Sequence, residues 1–104
     1  MAQTAKKAYA NVNASSTQSE LVAAVSGKSI RVVSVAMVCG ATATNSTFNS
    51  ASTAISCLFA NGANGGAVLN YNFDGWFETT PGQALTVTTG AGSATGYLIS
   101  YLEI

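Results

Sequence analysis

Ser29-Ile30-Arg31-Val32-Val33-Ser34-Val35-Ala36-Met37-Val38-Cys39 is the longest apolar stretch of the chain. Its period of two places Ile30, Val32 and Val38 on one face and Val33, Val35 and Met37 on the other. Val and Ile are stiff at χ1 and suit a pleated surface, so the stretch reads as a strand. Both faces then have to be covered. Tyr97 to Ile104 behaves in the same way, with Tyr97, Ile99 and Tyr101 on one face and Leu98, Leu102 and Ile104 on the other. An apolar strand of this kind calls for pairing inside a sheet.

Shorter period-two blocks fill the remainder. Strands are expected at Lys7 to Asn13, Ser19 to Val25, Thr47 to Ser50, Ala54 to Ala60, Ala67 to Phe73, Trp76 to Thr79 and Gln83 to Thr89. Turn chemistry separates them: Ser26-Gly27-Lys28 fits a hairpin turn, Asn61 to Gly66 a longer loop, Asp74-Gly75 a tight bend and Pro81-Gly82 a type II turn. The Glu20 to Val25 segment is the one helical alternative, and its valines and following glycine favour a strand. The reading is all-β: an antiparallel β-sandwich of jelly-roll type with about eight short strands.

The chain has 104 residues, enough for one core, so residues 1–104 are read as a single domain with a short N-terminal arm at about residues 1–7. Hydrophobic residues make up 48% and charged residues only 8%, against roughly 25% charged in ordinary soluble domains. Recurrent Val, Ile, Leu and aromatic blocks argue against disorder. Four Lys and Arg balance four Asp and Glu, giving a net charge of zero. Such a surface has no long-range field to recruit nucleic acid or an anionic membrane, and it favours self-association. An oligomer is therefore expected, held by the second apolar faces: Val33, Val35 and Met37 on one strand and Tyr97, Ile99 and Tyr101 on the other.

Catalytic chemistry finds little support. There is no histidine, which removes the commonest general base and metal ligand. Asp74 and Glu78 are the closest acids, and an aspartate before glycine is a turn preference. Gly90 to Gly96 misses the phosphate-loop spacing and leads into a strand. Cys39 and Cys57 are too few for a disulfide framework and are read as buried free thiols, with a cross-strand disulfide as the alternative. Tyr71, Phe73, Trp76 and Phe77 are read as core aromatics, a sugar-stacking platform being the functional alternative. No enzyme activity, cofactor, metal or small-molecule substrate is expected. The N-terminus lacks an apolar signal core, and no stretch approaches the ~20 residues of a membrane span. The sequons Asn13-Ala14-Ser15 and Asn45-Ser46-Thr47 have meaning only in a secreted protein.

Four pieces together resemble a known family. They are Ile30-Arg31-Val32-Val33-Ser34; Ser52-Thr53-Ala54-Ile55-Ser56; Gly75-Trp76-Phe77-Glu78-Thr79 followed by Pro81-Gly82-Gln83-Ala84-Leu85; and Gly96-Tyr97-Leu98-Ile99-Ser100-Tyr101. In this order they resemble the small jelly-roll capsid decoration, or cement, proteins of tailed bacteriophages. Many of those proteins have glutamate where this chain has Gln83, and the two cysteines are outside the pattern. The resemblance implies a structural virion protein, a homotrimer made in the cytoplasm of a bacterial host. It would bind the major capsid protein on the outside of the head and stabilise the shell. The N-terminal segment, with Lys6, Lys7, Tyr9 and Val12, is expected to contribute to the capsid contact. The alternative is a receptor- or glycan-binding head of a phage tail fibre.

Overall fold

The computed structural model describes residues 4–104. Ten strands follow one another: β1 (Lys6–Val12), β2 (Ser19–Val22), β3 (Ile30–Cys39), β4 (Thr44–Ser50), β5 (Thr53–Ala54), β6 (Phe59–Asn61), β7 (Gly66–Leu69), β8 (Phe77–Glu78), β9 (Leu85–Thr89) and β10 (Thr95–Glu103). They form two antiparallel sheets, and the described residues contain no helix. The first sheet runs β1-β10-β3-β7 with β8 also on β3, and the second runs β2-β9-β4-β5 with β6 also on β4.

This order is the jelly roll. The first strand lies beside the last in one sheet, and the second lies beside the last but one in the other. β5 and β6 are two short pieces along one edge of β4, and β7 and β8 are two pieces along one edge of β3. Counting each interrupted edge once reduces ten strands to the expected eight. The turn at Ser26-Gly27 forms, with the Lys28 amide bonded to the Val25 carbonyl at 3.0 Å. It does not close a hairpin: it carries the chain from β2 in one sheet to β3 in the other. Pro81-Gly82 makes the expected turn, with Gly82 at φ 81° and the Gln83 amide bonded to the Thr80 carbonyl at 3.0 Å.

The core lies between the sheets. Ile30, Val32, Val35, Met37, Tyr97 and Ile99 of the first sheet meet Val22, Phe48, Leu85 and Val87 of the second, with Val12 closing one end. Phe48 is fully buried and stacks on Phe77 at 4.8 Å between ring centres, with Phe59 and Tyr97 edge-on to it. β3 does not keep one alternation along its length, as a strict period of two would have it. Ser100 pairs with Ser34 but Tyr101 pairs with Val32, so Val33 is an extra residue, a β-bulge. One added residue swaps the faces beyond it, so Ile30 and Val32 before the bulge and Val35 and Met37 after it all point to the core. Val38, expected beside Ile30 and Val32, is exposed.

Candidate functional site

The side chains on which an oligomer was expected face the core: the bulge turns Val35 and Met37 inward on β3, and on β10 the Tyr97 and Ile99 face is the inner one. Val33, Val35, Met37, Tyr97 and Ile99 are buried within one chain, and Tyr101 is half-buried against the same core. A side chain already packed inside its own sandwich has no area left for a neighbour. Val12, expected at a capsid contact, is likewise a core residue with little surface to offer. Lys6 and Lys7 belong to β1, paired with Tyr101 and Ser100 of β10. Of the expected arm, therefore, residues 4–5 precede the strand and residues 1–3 lie outside the described residues.

The free apolar face is the outer side of the first sheet, and its register shows how it is built. Tyr9 pairs with Leu98, Leu98 with Ala36, and Ala36 with Val68, so one straight row crosses all four strands from β1 to β7. The next row reads Asn11, Gly96, Val38 and Gly66. Side chains within such a row stand side by side on the same face. Tyr9 is 83% exposed, Val68 71%, and Val38 and Leu98 54% each. The glycines beside Val38 carry no side chain, which leaves a shallow depression bounded by Tyr9, Val38, Val68 and Leu98. Neither row holds a charged residue. Lys7 opens the following row opposite Ser100, where the face turns polar.

A second exposed group sits between β7 and β8. The loop through Asn72-Phe73-Asp74-Gly75 is anchored by the Asn72 and Trp76 amides, which donate to the Val33 and Val32 carbonyls, both at 2.8 Å. Tyr71, Phe73 and Trp76 are exposed, contrary to the core reading, while Phe77 packs on Phe48. Tyr71 and Trp76 do not share a platform. Trp76 lines a groove with Ile55, Phe59 and Leu69 at the seam between the sheets, whereas Tyr71 borders the outer face beside Val68 and Leu98. The Trp76 indole N–H donates to the Asn70 carbonyl at 2.7 Å, which fixes its ring.

The remaining candidates separate. Glu78 accepts a bond from Arg31 Nε at 3.0 Å, and Asp74 sits in the turn with its amide donating to Asn72 Oδ1 at 3.1 Å, so the two acids have different tasks. Cys39 is buried, its thiol donating to the Gly62 carbonyl at 2.9 Å. Cys57 is also free but exposed and outside the strands, which corrects its placement as a buried strand residue. Gly90 to Gly96 leads directly into β10. Among the described residues no three His, Cys, Asp or Glu side chains gather as metal ligands, and no helix is long and apolar enough to cross a membrane.

From sequence Val38 and Leu98 fall on the faces opposite those given to the oligomer, and Val68 is assigned to no face. The sequence signal that bears on Val68 and Leu98 is the pair Gly66 and Gly96, which flank short apolar alternations with Val68 and Leu98 as their outward members. Comparison with protein-family models, with curated proteins and with solved structures finds no match.

Proposed function

We propose that this protein is a structural, non-catalytic coat component: a capsid decoration protein that attaches to the major capsid protein on the outside of a phage head and stabilises it. The observation that carries the reading is the uncharged apolar row Tyr9, Leu98, Ala36 and Val68 on the outer face of a jelly-roll sheet. Contiguous exposed apolar patches mark protein–protein contact surfaces. A chain with so few charges gains solubility when such a face is covered. A partner that binds only the assembled shell raises that shell's apparent stability by mass action.

The test is binding to undecorated heads, read by co-sedimentation and by the temperature at which the heads rupture. The intact protein is expected to sediment with heads and to raise the rupture temperature. Leu98→Asp and Val68→Asp place a charge on the row but leave the core untouched, so each variant should keep the wild-type circular dichroism and bind at least about tenfold more weakly, the cost of burying one unpaired charge. If the intact protein ignores heads, or the variants bind as well as wild type, the reading fails.

The exposed Tyr71, Phe73 and Trp76 favour one other reading, the glycan-binding head of a tail fibre. The separation of Tyr71 from Trp76 weakens it, since stacking on a sugar requires rings that share a surface. Binding to host-cell glycans that is lost in Trp76→Ala and kept in Leu98→Asp would replace the decoration reading with this one.

A further inference from the structure

The four sheet edges of the sandwich are not alike. On the second sheet, β2 has four residues and a bulge between Glu20 and Val22, and the opposite edge is broken into β5 of two residues and β6 of three. On the first sheet, the edge beside β3 is broken into β7 and β8 with the aromatic loop between them. Short, bulged and interrupted edges are the devices by which sheets avoid pairing with other chains. β1 is neither short, bulged nor interrupted; of the devices that discourage edge pairing it carries charge alone, Lys6 and Lys7 at one end. It has seven residues without proline, in unbroken register with β10, and among the described residues no other backbone group bonds to it.

We infer that two copies of this chain join edge to edge through β1, antiparallel, about an axis at Tyr9. Tyr9 is the middle residue of Lys6–Val12. Centring the pair there sets Tyr9 against the second copy's Tyr9, Ala8 against Ala10, Lys7 against Asn11 and Lys6 against Val12. Charge supports this register. Lys6 is already neutralised by Glu103 of its own chain at 2.9 Å, and Lys7, the remaining cation on the edge, meets an asparagine amide instead of another lysine. Like charges placed directly opposite each other would oppose the pairing. Antiparallel pairing also gives the outward N–H and C=O groups of β1 partners, about one hydrogen bond per opposed residue pair.

The side chains favour the same join. Tyr9 is the most exposed of the large hydrophobic residues and stands at the edge end of the apolar row. Opposed tyrosines on one face have Cβ atoms about 4.5 to 5.5 Å apart, within contact distance for their rings. The row then runs unbroken from Val68 of one copy to Val68 of the other, doubling the apolar face. The pair is isologous: the same surface is used twice, so it closes at two copies and cannot propagate into a fibre through β1.

The experiment combines sedimentation with disulfide trapping in a Cys57→Ser background. Wild type is expected to sediment at twice the monomer mass. Tyr9→Cys should cross-link to itself under mild oxidation. Lys7→Cys should not, yet it should cross-link when mixed with Asn11→Cys, as the register requires. A stable monomer overturns the inference, as does the three-copy mass implied by the family resemblance. Self-linking of Lys7→Cys as fast as that of Tyr9→Cys also overturns it. The outcome is separable from the decoration reading: a head-binding monomer sinks only the pairing, and a dimer that ignores heads sinks only the decoration.

Discussion

Tyr97 carries a hydroxyl into the core. Its ring meets Phe48 edge-on at 5.7 Å, and its hydroxyl shares a hydrogen bond with Ser46 Oγ. Burial pushes the phenol pKa up from its ordinary value of 10.0, while the Ser46 and Thr95 hydroxyls pull it part of the way back. A pKa raised in the folded state means that the unfolded chain loses its proton first. The stabilisation is then complete below about pH 10 and is lost as pH rises through the folded value. Lys6 acts in the same direction: its bond to Glu103 raises its pKa, but it is exposed, and surface ion pairs contribute little. The urea midpoint should therefore be level up to about pH 10 and fall above it. Tyr97→Phe should flatten that fall and lower stability at neutral pH by about 1 to 3 kcal/mol, because Ser46 Oγ is left buried without its partner. An alkaline fall in Tyr97→Phe as steep as in wild type would contradict this assignment.

Strand β7 shows how close packing sets an element's sequence. Gly66 lies opposite Val38, and a Cβ built there would stand 1.7 Å from the Met37 carbonyl oxygen. Gly66→Ala must push β7 away from β3, at an expected cost of about 2 to 3 kcal/mol. Gly62→Ala, in the preceding loop, meets nothing within 4 Å and should stay within about 0.5 kcal/mol of wild type. Chemical denaturation of the two variants side by side checks the contrast. The same elements show what could be read from sequence. The alternation in Tyr97 to Tyr101 and the Pro81-Gly82 turn carry local signals, and both form as expected. The bulge at Val33 was hidden, because only the partner's register reveals which of two adjacent valines is extra. Ala54 to Ala60 and Ala67 to Phe73 read as single strands but pair only at β5, β6 and β7, since hydrogen bonding to β4 and β3 decides where an edge is interrupted. The candidate surface depended in part on that hidden bulge. A strict period of two sends Val33, Val35 and Met37 outward, and the alternation on β10 does not say whether the Tyr97 and Ile99 face or the Leu98 face meets the core.

At the scale of the whole molecule, the two ends of the sequence are partners. β10 lies between β1 and β3, and beyond it Ile104 and Ser29 exchange two backbone hydrogen bonds of 2.9 and 3.0 Å. β10 therefore joins β1 and β3 into one sheet through long-range pairing. Pairings between strands almost a full chain length apart make the loop-closure cost come before its return, which predicts folding on the millisecond-to-second scale. The segment Leu102–Ile104 holds a nearly fully buried leucine, the carboxylate that neutralises Lys6 and both bonds to Ser29. Loss of a buried leucine side chain alone costs about 2 to 5 kcal/mol, and each net hydrogen bond adds about 1 kcal/mol. Total stability for a domain of this size is about 5 to 15 kcal/mol, so deleting Leu102–Ile104 should remove much of it and shift the urea midpoint sharply downward. Deleting residues 1–5 keeps all of β1 (Lys6–Val12) and should leave the stability within about 0.5 kcal/mol of wild type. Equal midpoints for the two truncations would show that the last strand is not the closing element of the fold.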